Sequence, residues 1–114
     1  MGTKNRNCTK FFSNAQEKDV AKLVGGKVIA GSGSPHFCCG DVITNDWLFE
    51  CKTSMKPKQS FSIKKEWIDK NERERMDSQK PYSALVFRFE ESGENYFIVN
   101  EKTFKILLDS LENR

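Results

Sequence analysis

Long apolar runs are missing from this 114-residue chain: no stretch approaches 18 uncharged apolar residues, which argues against a membrane span. No apolar segment follows the polar start Met1 to Asn7, so a secretory signal is not expected and a cytoplasmic protein is. Cysteine is scarce and wrongly spaced for zinc. The four cysteines (Cys8, Cys38, Cys39, Cys51) contain no C-x-x-C pair, and His36 is the sole histidine, so a structural metal lacks its usual spacing. Adjacent Cys38 and Cys39 are poor disulfide partners for each other, and Cys51 lies in an apolar run where buried free thiols are common. Reduced cysteines are therefore expected. Internal repeats, low-complexity tracts and Pro/Gly/Ser-rich linkers are also absent, and the length leaves room for one domain only.

What is present suffices for a core. Hydrophobic residues make up 37% of the chain and charged residues 31%, a composition that folds. Residues 1–12 are expected to be a loosely ordered N-terminal segment, with the domain proper over 13–114. The net charge of +3 is unevenly spread: residues 1–80 hold 15 basic and 10 acidic side chains, residues 81–114 hold 4 and 6. Lys52, Lys56, Lys58, Lys64 and Lys65 fall in one acid-free stretch. Such a run can neutralise phosphates and release counterions, although a solvated surface produces similar runs.

The elements follow from periodicity and punctuation. Ser13-x-x-Gln16 resembles a capping box; Glu17, Val20, Ala21 and Val24 then share a helical stripe that Gly25-Gly26 ends. Lys27 to Ala30 is a short β-branched run, and Gly31-Ser32-Gly33-Ser34-Pro35 forms a loop small enough to lie against a ligand. Phe37–Ile43 and Trp47–Thr53 read as a hairpin. A helix is expected over Ser60 to Asp77, with Ile63, Trp67 and Ile68 towards the core. Tyr82–Phe89 and Tyr96–Val99 read as strands, and Asn100 caps a last helix in which Phe104, Leu107, Leu108 and Leu111 follow i, i+3, i+4, i+7. The order α, β, β, β, α, β, β, α implies an α/β domain with one mixed sheet covered on both faces.

Chemistry concentrates in the hairpin. If its turn is the two-residue loop Asn45-Asp46, Asp41 lies directly opposite Glu50. At about 5 Å and an effective dielectric near 20 their repulsion is roughly 3 kcal/mol, more than a favourable cross-strand pair supplies. A cation between them is the natural remedy. Strand alternation puts Lys52 on the face of Glu50 and turns Cys51 the other way. Glu17 heads the inward stripe of the first helix and wants a partner, unless it serves only the helix dipole. Hard oxygen ligands, an ammonium and a glycine-rich loop together suit Mg²⁺ or Mn²⁺ and phosphodiester hydrolysis.

Gly40-Asp41, eight residues, then Glu50-Cys51-Lys52 resembles the PD-(D/E)xK nuclease signature, with glycine where proline is usual. Combined with Glu17, the Gly31–Ser34 loop, Phe49-Glu50-Cys51-Lys52-Thr53-Ser54, Phe61-Ser62-Ile63 and Trp67-Ile68, the chain resembles archaeal-type and phage Holliday junction resolvases over roughly residues 13 to 100. The resemblance implies a restriction-endonuclease-like single domain with a central mixed five-stranded sheet flanked by helices. It implies a Mg²⁺-dependent endodeoxyribonuclease acting as a homodimer on four-way junctions. It also implies that Asp41 and Glu50 ligate the metal with the Cys51 carbonyl, that Glu17 supports a metal-bound water, that Lys52 completes the site and that Ser34 lies near it. Lys56, Lys58, Gln59, Lys64 and Lys65, with Ser32 of the loop, are the candidate DNA contacts, positioning the backbone without reading bases. Two other readings compete: a repair or restriction-type nuclease of the same fold with a different DNA substrate, and a non-catalytic DNA-binding module.

Overall fold

The computed structural model describes residues 15–29, 41–54 and 56–113, with Asp41 defined by its backbone. Residues 15–24 are helical and form α1. It ends in a Schellman turn, in which Gly25 takes φ 71° and the Gly26 N–H bonds the Ala21 carbonyl at 2.9 Å. Gly26 has a separate reason to be glycine: a Cβ there would stand 2.3 Å from the Ile43 carbonyl oxygen. Two glycines thus turn the chain directly into the sheet.

The elements that follow are β1 (Lys27–Ile29), β2 (Asp41–Ile43), β3 (Trp47–Thr53), α2 (Lys65–Asp77), β4 (Tyr82–Arg88), β5 (Tyr96–Ile98) and α3 (Glu101–Glu112). Their spatial order equals their chain order, β1 to β5. Three pairings are antiparallel and β3–β4 is parallel, because α2 carries the chain back to the starting end of the sheet. The α/β class, the mixed five-stranded sheet and the helices are as expected from the pattern. No helix among the described residues is long and apolar enough to cross a membrane.

Alternation on β3 divides the sheet into two faces. Phe49 and Cys51, with Val42, Ala84 and Val86, meet Val20 and Ala21 of α1 in the apolar core. Leu48, Glu50 and Lys52 turn to the other face, which α2 covers. Polar ties lock α1 in place. Arg88, 4% exposed, donates to Asp19 Oδ2 at 2.7 Å, Asn95 Oδ1 at 2.9 Å and the Glu91 carbonyl at 2.7 Å. Gln16 donates its amide to Asn95 Oδ1 at 3.2 Å and the Val86 carbonyl at 3.4 Å. That side chain therefore serves helix–sheet docking, and the capping box expected with Ser13 lies outside the described residues.

Several boundaries differ from expectation. The second helix begins at Lys65, not Ser60, behind an extended Lys64 with no side-chain cap. The preceding segment is tied elsewhere: Ser54 Oγ donates to the Lys56 carbonyl, and the Lys58 N–H bonds the Phe89 carbonyl at 3.0 Å. Ile63 precedes the helix and Ile68 is solvent-facing, both 43% exposed, so of the three apolar residues assigned inward only Trp67 is half-buried. β4 stops at Arg88 and β5 at Ile98, one residue short of expectation in each case. The 1–12 segment, residues 30–40 and with them Cys8, His36, Cys38 and Cys39 lie outside the described residues. Cys51 is buried and forms no disulfide among the described residues.

Candidate active site and phosphate-binding groove

The β2–β3 turn is the two-residue loop that the acid pairing requires. Thr44 N–H bonds the Trp47 carbonyl at 3.0 Å, while Thr44 Oγ1 accepts from the Trp47 and Asp46 amides at 3.0 and 3.3 Å. With that turn fixed, Val42 pairs with Phe49 and Asp41 with Glu50. Directly opposed residues of an antiparallel pair share a sheet face, so positions 41 and 50 share the face beneath α2.

Glu50 is the centre of this face. It is only 2% exposed, and burial of an ionised carboxylate demands compensation. Lys52 supplies it from the same strand, its Nζ 3.2 Å from Glu50 Oε2. A second ammonium arrives from α2: Lys70 Nζ lies 3.7 Å from Glu50 Oε1 and 3.1 Å from Glu74 Oε2. Part of the cationic compensation expected between the two acids is thus provided by lysines. Lys70 was not legible in the sequence, where a Lys70–Glu74 pair at i, i+4 signals only a solvated helix face.

Trp67 joins this cluster to a second one. Lys52 Nζ sits 4.6 Å above the indole centroid and Lys64 Nζ 5.9 Å from it, cation–π distances that hold both ammoniums against the ring. Beyond Trp67 opens a groove of about 540 Å³ lined by Lys58, Gln59, Ser60, Phe61, Ser62 and Lys64, among others. Phe61 closes its floor against Phe87 and Phe89 at centroid distances of 4.9 and 6.2 Å. Three candidate DNA contacts, Lys58, Gln59 and Lys64, therefore line one groove with Trp67, the ring against which the lysine of the acidic cluster rests. Lys56 is exposed outside that lining, and Lys65 is engaged by Asp69 at 3.0 Å. A larger hollow of about 680 Å³ lies at the turn end of the sheet, where Lys80 donates to the Thr44 and Asn45 carbonyls at 2.8 and 3.2 Å.

Two of the remaining expected site residues are described. Glu17 is buried at 2% exposure, one turn before Val20 and Ala21 on α1. The Cys51 thiol is in the apolar core with Val20 and Ala21, which leaves only its backbone carbonyl for a ligand role. Ser32 and Ser34 lie outside the described residues. Among the described residues no group of three His, Cys, Asp or Glu side chains forms a metal cage.

Glu50 nevertheless fits a hard divalent cation. Its Oε1 is buried without a hydrogen-bond donor among the described residues, and an anionic oxygen with spare lone pairs is the donor that Mg²⁺ or Mn²⁺ favours. The opposing position is an aspartate.

Compared with known proteins, the chain matches no family model, no curated sequence and no solved structure.

Proposed function

We propose that this chain is a divalent-cation-dependent endonuclease of the restriction-endonuclease-like fold, acting on branched DNA such as the four-way junction as a homodimer. One observation carries the reading: an aspartate and a buried glutamate in direct cross-strand register, with a lysine two residues beyond the glutamate on the same face. A mixed sheet with helices on both faces supports the fold assignment.

Asp41 and Glu50 would hold the cation, with the Cys51 carbonyl as a further oxygen. When bound, the ion supplies Lewis-acid polarisation of a phosphoryl oxygen and a more acidic water. Lys52 is held by Glu50 and by the Trp67 face, so its ammonium is already aimed when a phosphodiester arrives. There it stabilises negative charge developing on the phosphate. Glu50 also sets the orientation of Lys52, so the two act as a unit. Lys58, Gln59 and Lys64 grip the backbone flanking the scissile phosphate, and the groove contacts carry no base readout. Glu17 and Ser34 keep their proposed supporting roles near the metal-bound water and the loop.

The test uses a labelled four-way junction and linear duplex of the same sequence, in Mg²⁺ and in excess chelator. Junction cleavage that stops in chelator is expected. Glu50→Gln and Lys52→Ala should each reduce it by at least ~10²-fold while junction affinity changes little. Equal cutting of junction and duplex rejects the resolvase substrate and leaves a nuclease of another DNA substrate. Junction binding without cleavage by the native chain, under all divalent ions tried, favours the non-catalytic module, which the Lys58–Lys64 groove would serve unaided.

A further inference from the structure

The groove beside Trp67 holds more than a grip on phosphates requires. Two of its lysines are set over two of its rings: Lys58 Nζ lies 5.9 Å from the Phe61 centroid and Lys64 Nζ 5.9 Å from the Trp67 centroid. All four side chains line the same hollow of about 540 Å³. Contacts at the outer limit of cation–π reach hold an exposed ammonium only weakly, and both lysines are exposed. Neither has a carboxylate partner among the described residues, whereas neighbouring Lys65 is engaged by Asp69 at 3.0 Å. Each ammonium can therefore move to an incoming anion without leaving an acid unpaired, and its ring is then open to a flat group.

The position of the groove in the sheet also suits a ligand. Thr53 and Ser54, at the end of β3, line it, and β3 runs parallel to β4 with Thr53 level with Arg88. The crevice outside the carboxyl ends of parallel strands is the usual ligand position of an open α/β sheet. Phe61 and Trp67 meet at 6.3 Å and 64°, so the two rings are not stacked on each other. What the wall offers, twice over, is a weakly held cation beside an aromatic ring. Its chemical complement is an anion joined to a flat ring and repeated along a chain, which describes a single strand of nucleic acid with unstacked bases. A base inside a duplex is stacked on its neighbours and cannot reach such rings. An acidic peptide would engage the lysines and leave the rings unused.

We propose that this groove takes unpaired nucleotides of the DNA substrate, with phosphates drawing Lys58 and Lys64 off their rings and a base stacking on Trp67 beside Phe61. The inference rests on the nuclease reading for the choice of DNA, and it deepens that reading by making an unpaired segment next to Lys52 part of the substrate. Stacking accepts every base, so no sequence is read.

Fluorescence titration of the full chain carrying Glu50→Gln, in chelator, tests this without cleavage or metal. A chain that never cuts DNA could still pass, and a working nuclease could still fail. An oligothymidylate of about eight nucleotides, within the usual site size of a single-strand groove, should quench up to about half of the tryptophan emission. One of the two tryptophans then meets a base, while Trp47 stays packed against Phe49 and Tyr82. Trp67→Phe keeps a ring and should bind within about twofold of its parent without the quenching, whereas Trp67→Leu should weaken binding at least ~5-fold. Duplex of the same length, an acidic peptide of the same charge and thymidine monophosphate should each bind more weakly than the oligomer. Absence of oligomer binding overturns the assignment, as do binding without quenching, equal affinity for any of the three competitors, or equal losses in Trp67→Phe and Trp67→Leu. The quenching and competitor arms do not need Trp67→Leu, so they decide even where that variant fails to fold.

Discussion

A single buried carboxylate governs the proposed site. Glu50 is reached by Lys52 at 3.2 Å and by Lys70 at 3.7 Å, and these two ammoniums respond differently to a cation. Lys52 has the Trp67 ring as a second support at 4.6 Å, whereas Lys70 has Glu74 at 3.1 Å and can transfer its whole interaction there. On the proposed reading, Lys70 would neutralise Glu50 until a divalent ion takes over. Lys70→Met keeps the methylene packing and removes the opposing charge. It should raise Mg²⁺ affinity by about three- to tenfold, the range that corresponds to roughly 1 kcal/mol, one unit-charge interaction at about 4 Å in a water-like dielectric. Isothermal titration calorimetry in the absence of DNA measures this, and unchanged or weaker Mg²⁺ binding would reject the role. The acid–lysine trio was legible because it depends on local arithmetic, a two-residue turn and period-two alternation. Lys70 was not, because nothing in the spacing of α2 tells which of its polar residues faces a strand.

At the scale of elements, the positions of helices depend on polar ties more than on apolar stripes. The α1 stripe was readable, and Val20 and Ala21 do enter the core. What fixes the helix against β4 was not readable: Gln16, Asp19 and Arg88 lie 69 or more residues apart in their cross-element bonds. The starts of β4 and β5 at Tyr82 and Tyr96 and the cap Asn100, whose Oδ1 accepts the Thr103 amide at 2.8 Å, were legible because each is decided within four residues. The start of α2 was misjudged because Ser60–Lys64 obeys the loop's tie to Phe89 rather than its own helical spacing. Within α2, the Arg75 hydrogen bond holds the Glu72 carboxyl below its ordinary pKa, a surface effect of small weight. Arg88 is the stronger handle. Arg88→Ala leaves Asn95 Oδ1 and the Glu91 carbonyl short of a donor and should destabilise the chain by about 2–4 kcal/mol. Urea midpoints measure this, and a loss under 1 kcal/mol would mean that α1 is held by its apolar contacts and Gln16 without help from Arg88.

At the scale of the whole molecule, the proposed DNA binding has only a small and unevenly spread charge to rest on. Residues 81–114 carry a slight acidic excess, and the basic excess lies in residues 1–80. Net charge alone, +3, is too small to make binding a property of the entire surface, so affinity should depend on a few lysines. The structure distinguishes among them. Lys58 and Lys64 line the groove beside Trp67, whereas Lys65 is satisfied by both carboxylate oxygens of Asp69 at 3.0 and 3.2 Å. Each phosphate neutralised contributes close to one unit to the slope of log affinity against log salt. Lys58→Ala and Lys64→Ala should therefore each lower that slope by about 0.9 per chain on a junction substrate, uniformly across DNA sequences. Lys65→Ala should leave it almost unchanged, although the sequence alone ranks all three lysines together. Fluorescence anisotropy from 50 to 300 mM salt separates the cases. Equal slope losses for all three would mean that the basic run binds as a diffuse cloud, and the groove would lose its claim to be the DNA-binding surface.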